Sequence, residues 1–178
     1  MAASLSFDGT DDYVQTPLPP STYTAYTVEW WVKADNWARG KRQQFGALPD
    51  STGVDTIDFG VNDTDYLSHW RGDAAGEVAG AYYVGDKAGF YHVAYTQERL
   101  SSSNVEVKIY FDGVLVETVN GDWLDSDFSV DSLYIGNKTS LGEGWMGEIS
   151  EFRFWGIARS QQQIQDNMNA TLNGDETG

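Results

Sequence analysis

The chain has 178 residues, a formal net charge of −16 and no cysteine. This charge argues against nucleic acid and anionic membranes as partners, because both present phosphate groups that an acidic surface repels. The lack of cysteine excludes disulfides, thiolate zinc sites and a cysteine nucleophile.

Short segments with alternating apolar and polar residues recur about every 8–12 residues, the spacing typical of a β-sandwich or barrel. We predict, in chain order, the strands Leu5–Phe7, Tyr13–Thr16, Tyr26–Lys33, Gln43–Ala47, Thr56–Val61, Tyr66–Arg71, Ala81–Val84, Gly89–Thr96, Val105–Phe111, Val114–Val119, Ser132–Ile135 and Trp145–Trp155. Loops rich in Pro, Asp and Gly separate them.

The segment Val105–Val119 predicts a β-hairpin. Two alternating runs flank Asp112-Gly113, and both central residues of a type I′ turn require φ > 0, which favours Asp-Gly. The hairpin therefore indicates antiparallel β structure.

One helix is predicted near the end of the chain. Ser160 and Gln163 have the spacing of a capping box, and Ile164 and Met168 lie four residues apart on one helix face. We expect a short amphipathic helix packed on the edge of the sandwich. The predicted fold is all-β: a two-sheet antiparallel β-sandwich of the jelly-roll type with one short C-terminal helix, over residues 1–172, followed by a polar tail or linker at 173–178.

Four stretches carry a family resemblance: Leu5–Gly9 with Asp11–Val14, Tyr26–Lys33, Phe90–Ala94 followed by Ile109–Gly113, and Leu133–Gly136 followed by Gly147–Trp155. In their order and spacing they resemble the laminin-G-like branch of the concanavalin A-like lectin/glucanase superfamily. The resemblance implies a jelly-roll domain of a kind that serves lectins, glycan-binding modules, glycosidases and adhesion domains. The family's closing motif usually has Asp where Ser150 stands. In related sandwiches an acid near this place helps to hold a structural calcium ion, and Glu151 is retained.

A glycosidase is disfavoured by the residues of the last strand. The stretch Glu148–Arg153 resembles the Glu-x-Asp-x-x-Glu motif of laminarinase-type enzymes, but Ser150 replaces the middle Asp and Arg153 the final Glu. Strand alternation predicts that Glu148 and Glu151 point to opposite faces, so they cannot flank one glycosidic bond.

The aromatic residues in polar surroundings suggest a glycan platform, because a sugar ring stacks its C–H face on Trp or Tyr and binds polar groups through its hydroxyls. The candidate ligand-binding residues are Trp37, Arg39, Tyr66, Trp70, Arg71 and Trp145. Tyr66 and Trp70 share one face of a predicted strand and His69 the other. The competing interpretation is that these aromatic side chains fill the core; His69 is expected on a surface strand and His92 in the core.

Clustered acids suggest a calcium site, since Ca²⁺ binds six to eight oxygens. The preferred metal ligands are Asp8, Asp11, Asp12 and Glu151, with further acidic clusters at Asp63/Asp65 and at Asp122–Asp131. The alternative is that these acids are solvated turn residues.

The sequence therefore predicts a non-catalytic carbohydrate-binding, lectin-like module of a larger secreted or cell-surface protein, with Ca²⁺ as its candidate cofactor. Its expected partner is a glycan or polysaccharide. We expect neither a nucleic-acid partner nor insertion into a membrane, and we expect the domain to be monomeric. Protein-binding adhesion and a structural spacer role are the alternatives.

Overall fold

The computed structural model describes residues 3–37, 39–49, 55–71, 76–85, 87–121, 128–137 and 142–172. The elements are β1 (Leu5–Asp8), β2 (Val14–Tyr23), β3 (Ala25–Ala34), β4 (Gln43–Pro49), β5 (Asp55–Val61), β6 (Tyr66–Arg71), β7 (Gly76–Tyr83), β8 (Tyr91–Arg99), β9 (Val105–Phe111), β10 (Val114–Gly121), β11 (Phe128–Ile135), β12 (Met146–Trp155) and α1 (Gln161–Asn167). No helix within these ranges is long and apolar enough to cross a membrane.

The strands form two six-stranded antiparallel sheets. Sheet I has the order β1-β12-β3-β8-β9-β10, and sheet II the order β2-β11-β4-β5-β6-β7. Half of the neighbouring pairs join strands that are not consecutive in sequence, as β12 beside β3 illustrates. The predicted two-sheet antiparallel jelly-roll sandwich is confirmed.

The core lies between the sheets and is built from strand alternation. In β3 the side chains of Val28, Trp30 and Val32 are buried between the sheets. Trp30 contacts Phe45 and Phe59 of sheet II at ring-centroid distances of 5.7 and 5.9 Å. Aromatic edge-to-face contacts therefore join the two sheets at the centre of the molecule.

The Asp112-Gly113 hairpin is present. Asp112 and Gly113 have φ values of 49° and 71°, and Phe111 pairs with Val114 across the turn. The Asp112 carboxylate also accepts a 2.9 Å hydrogen bond from the backbone N–H of His92, which ties the hairpin to β8.

Helix α1 begins with the predicted capping box: Ser160 accepts from the backbone N–H of Gln163, and the Gln163 side chain accepts from the backbone N–H of Ser160. Its apolar residue Ile164 is buried against Ala94 and Tyr110. These two residues belong to the outer face of sheet I. The helix therefore covers a sheet face, and the expectation that it packs on the sandwich edge is wrong.

A buried ionic network lies on the same outer face. Glu29 Oε1 accepts hydrogen bonds from Trp155 Nε1 at 3.0 Å and from Arg159 Nη1 at 3.3 Å, and lies 3.6 Å from Arg153 Nη1. Burial raises the pKa of Glu29, while these three partners act in the opposite direction. Two cations around one carboxylate provide the pairing that a buried charge requires.

Candidate functional site

Trp37 and Trp145 lie in the core. Their exposed fractions are 1% and 0%, and their rings contact each other at 5.3 Å. Trp145 also packs on Phe45 at 4.6 Å. A platform must offer an open ring face to a sugar, so the prediction that Trp37 and Trp145 bind ligand is wrong.

The Arg39 side chain lies between Gln43 and the β1–β2 turn. Its guanidinium is 3.5 Å from Gln43 Oε1, and a Cβ placed on Gly9 would lie 2.8 Å from Arg39 Nη1. Arg39 therefore sits against the β1–β2 turn. The predicted grouping of Arg39 with Trp37 and Trp145 in one glycan platform does not form.

The side chains of strand β6 alternate between the two faces of sheet II, as predicted from the sequence. Leu67 and His69 are fully buried between the sheets, where His69 Nε2 lies 3.2 Å from the hydroxyl of Tyr26. Tyr66 and Trp70 are half-buried on the opposite, outer face of sheet II. The expectation of a surface-strand histidine at His69 is wrong, because its side chain points into the core.

The outer face of β6 carries a cation–π contact that the sequence did not predict. The Arg42 guanidinium lies 4.2 Å from the ring centroid of Trp70, a distance that gives attraction to the indole face. Arg42 Nη1 is also 4.0 Å from Glu143 Oε2, and Gln44 Nε2 lies 3.3 Å from the same oxygen. Arg42 thus lies against the indole of Trp70, and Glu143 and Gln44 are the polar neighbours of Arg42.

A second aromatic pair lies at the other end of the same strand face. Tyr66 contacts Tyr83 at 5.5 Å, and Tyr83 is 54% exposed. Tyr66 and Trp70 are four residues apart, about 13 Å at 3.3 Å per residue. We refer to Arg42, Tyr66, Trp70 and Tyr83 as the β6 surface. The side chain of Arg71, the remaining predicted ligand-binding residue, lies outside the described part of the structure.

The turn between β5 and β6 fixes the start of this surface. Asn62 Oδ1 accepts hydrogen bonds from the backbone N–H groups of Thr64 and Tyr66, both at 3.0 Å. Asp65 has φ 66° and accepts a 3.3 Å bond from Gly40 N–H. This Asx turn therefore places Tyr66 beside the loop that leads to Arg42.

The predicted acidic group assembles in part. Carboxylate oxygens of Asp8, Asp11 and Asp12 lie within 4.8 Å of one another at the β1–β2 turn. Asp8 Oδ1 accepts from Thr10 N–H at 2.8 Å, and Asp12 Oδ2 accepts from Asp8 N–H at 3.0 Å. Three carboxylates are hard oxygen donors of the type that Ca²⁺ binds, so this turn fits calcium chemistry. The cluster at Asp122–Asp131 lies outside the residues whose side chains the structure describes.

Glu151 is distant from this acidic turn. Asp8 pairs with Met146, and Glu151 is five residues farther along β12, about 16 Å away. Its carboxylate lies 3.5 Å from Arg153 Nη2. The prediction that Glu151 joins the metal ligands is wrong.

A bulge in β12 also changes the direction of Glu151. Ser150 pairs with Trp31 and Arg153 with Glu29, so two residues of β12 oppose one residue of β3. The extra residue lets Glu151, which has φ 53°, line the outer face of sheet I with Arg153. The expectation that Glu148 and Glu151 point to opposite faces is therefore wrong, since Glu148 also lies on this face in an ion pair with Lys33 at 2.6 Å.

Solved structures with the same architecture come from several binding proteins. A heptameric SAP-like pentraxin from Limulus polyphemus matches with a TM-score of 0.69 and 16% identity, over 91% of this chain and 79% of the pentraxin. Botulinum neurotoxin type C, which depends on two ganglioside molecules to enter cells, matches with a TM-score of 0.60 and 13% identity, over 84% of this chain and 36% of the toxin chain.

A domain of a carbohydrate-active enzyme is similar as well. Domain 4 of AbnA, a GH43 extracellular arabinanase from Geobacillus stearothermophilus, was solved with arabinotriose and matches with a TM-score of 0.57 and 18% identity, over 84% of this chain and 70% of that domain. At these identities the similarities show a shared fold. No curated protein matches the chain. Residues 8–165 match the family model of the Concanavalin A-like lectin/glucanases superfamily, and the chain therefore belongs to that superfamily.

Proposed function

We propose that this domain is a non-catalytic carbohydrate-binding module of a larger secreted or cell-surface protein, and that a glycan chain binds along the β6 surface. The observation that carries the proposal is the pair of half-exposed aromatic side chains, Tyr66 and Trp70, on the outer face of one rigid strand. The ganglioside-dependent toxin and the arabinotriose-bound domain with this fold support the same ligand class.

The spacing of the aromatic groups suits a chain of sugars. The distance of about 13 Å between Tyr66 and Trp70 accommodates more than one ring, with one sugar stacked near each end. Arg42 beside Trp70 supplies donors for hydroxyl groups, and Glu143 beside Arg42 supplies acceptors. Because Arg42 covers one face of the indole, we expect a sugar to stack on the other face or to displace the guanidinium.

The carboxylates of β12 favour binding over hydrolysis. A general acid for glycoside cleavage needs a carboxyl group that remains protonated, hence one with a raised pKa. The hydrogen bond from Lys33 lowers the pKa of Glu148, and Ser4 lowers it further. Glu29 has a raised pKa, but it is fully buried and no substrate can reach it.

We further propose that Ca²⁺ binds at the β1–β2 turn through Asp8, Asp11 and Asp12. Bound calcium would neutralise the mutual repulsion of the three carboxylates. The loop at residues 39–40 connects this turn to the β6 surface, since Arg39 lies against Gly9 and Gly40 bonds to Asp65. An ordered turn would therefore support the end of the surface at which Tyr66 lies.

Calcium is expected to raise the melting temperature by about 5–10 °C at about 100 times its dissociation constant. Binding to the native state alone contributes about 2.7 kcal/mol at that ratio, which corresponds to such a shift for a domain of this size. Differential scanning fluorimetry with calcium chloride and with sodium chloride of matched ionic strength separates binding from screening. Asp11→Asn is expected to abolish the calcium-specific shift; equal shifts from both salts would exclude the site.

A glycan array probed first with calcium and then with a chelator tests the proposed function. A carbohydrate module is expected to retain one family of related glycans, and a chelator-sensitive signal would link the acidic turn to binding. The absence of any retained glycan would contradict the proposal and favour adhesion through a protein partner or a spacer role.

A further inference from the structure

A separate cavity lies on the opposite side of the molecule from the β6 surface. It has a volume of about 450 Å³ and lies between the outer face of sheet I and the chain that follows helix α1. Trp31, Glu151 and Arg153 form its sheet side, and residues 168–171 form the other side. A volume in this range is typical of small-ligand sites.

The aromatic wall of the cavity is held rigidly. Trp31 Nε1 donates a 2.9 Å hydrogen bond to the carbonyl of Met168, and its ring packs edge-on against His92 at 5.4 Å. The indole remains half-exposed. A ring that is fixed before binding loses little conformational entropy when a ligand stacks on it.

Arg153 fixes the other side of the cavity. Its Nη1 donates to the carbonyl of Asn167 at 2.6 Å and its Nη2 to the carbonyl of Ala170 at 2.7 Å. The guanidinium therefore anchors the chain after the helix instead of offering its charge to a ligand. Glu151, 3.5 Å from Nη2, balances that charge.

Glu151 is directed into the cavity by a costly local backbone conformation. Its φ of 53° is unfavourable for a residue with a side chain, and the β12 bulge that produces it gives Glu151 and Arg153 a common face. Non-glycine residues in this conformation are concentrated at sites where function depends on them. The Glu151 side chain keeps 29% of its surface exposed, so its oxygens can accept hydrogen bonds from a ligand.

We propose that this cavity is a second carbohydrate subsite that binds one neutral sugar ring, with the ring stacked on Trp31 and its hydroxyls donating to Glu151. The paired charges of Glu151 and Arg153 leave the cavity without a net charge that would attract an ion. Asn169 and Thr171, both exposed at the rim, add polar partners. Two subsites on opposite faces would allow the domain to cross-link glycans.

Indole N–H resonances in ¹H–¹⁵N NMR spectra report on this subsite directly, with methyl glucopyranoside, methyl galactopyranoside and methyl mannopyranoside as the probes. Trp31→Phe assigns the Trp31 resonance. At least one probe is expected to shift the Trp31 resonance in a saturable manner. Trp70→Ala should leave that shift unchanged, which makes the result independent of the β6 surface.

Glu151→Gly provides the decisive variant, because glycine accepts φ 53° without strain while removing the carboxylate. The melting temperature is expected to stay near that of the wild type, and the affinity of the sugar probe to fall about tenfold or more. Glu148→Gln, on the same strand outside the cavity, is the control and should bind as the wild type. Should Glu151→Gly fail to fold, Glu151→Asn serves under the same criteria, since Asn tolerates this conformation. An unmoved Trp31 resonance with all three probes, or unchanged affinity in a folded Glu151 variant, would overturn the proposal.

Discussion

Trp145→Ala is expected to lower the free energy of unfolding by about 3–5 kcal/mol, the usual cost of truncating a buried aromatic side chain. Trp145 is fully buried and packs against Phe45 and Trp37. Its Nε1 has no hydrogen-bond partner among the described residues, so the loss arises from packing and from the cavity left behind. Urea unfolding followed by circular dichroism measures the change.

Trp145→Phe is the matched control, because it keeps an aromatic ring in the same space and sacrifices no observed hydrogen bond. We expect it to retain most of the stability that Trp145→Ala loses. A Trp145→Ala protein as stable as the wild type would mean that Trp145 is solvent-exposed, which would contradict the core assignment.

Acidification is expected to destabilise the protein through His92 by about 3 kcal/mol at pH 4. Burial lowers the pKa of His92 from 6.5 to about 3, and the charges of Arg153 and Arg159 add to that effect. His92 is therefore neutral in the folded state, although its Nε2 lies 3.7 Å from Glu29 Oε2.

The direction of this change in stability depends on whether the folded or the unfolded chain binds the proton. Between pH 6.5 and about 3 the unfolded chain protonates this histidine and the folded chain does not, so the free energy of unfolding falls as the pH falls. Glu29 has the opposite effect on stability, because its raised pKa lets the folded state take up a proton before the unfolded state does as the pH falls.

Comparing the wild type with His92→Gln at pH 7 and pH 4 isolates the histidine contribution. The variant should lose less stability than the wild type between these two pH values. Equal losses in both proteins would show that His92 is protonated in the fold.

Much of the fold follows from local sequence. Turn chemistry at Asp112-Gly113 and the capping residues Ser160 and Gln163 specify their structures within a few residues. Alternation in β3 likewise indicates which side chains enter the core. The order of the strands within each sheet cannot be predicted from local sequence. For example, β12 pairs with β3 through residues more than a hundred positions apart, and no local pattern encodes that pairing.

The site was harder to predict because burial depends on distant contacts. Trp37 follows Asp35 and Asn36, a polar context typical of a loop, yet the chain folds back so that Gln43 Nε2 lies 3.3 Å from the Trp37 carbonyl and the indole enters the core. Arg42 reaches Trp70 only because β4, β5 and β6 are neighbours in sheet II. Glu151 depends on a bulge, which period-2 alternation cannot reveal.

Glycan binding along the β6 surface is tested most directly by Trp70→Ala, assayed for melting temperature and for retention by the glycans that the wild-type domain binds. We expect the melting temperature to change by no more than about 2 °C, as for a surface substitution, and retention to be abolished. Tyr13→Ala, which removes a 48% exposed aromatic side chain outside the β6 surface, should bind as the wild type. A folded Trp70→Ala protein that binds as before would contradict the assignment, and so would a variant that unfolds, because Trp70 would then belong to the core.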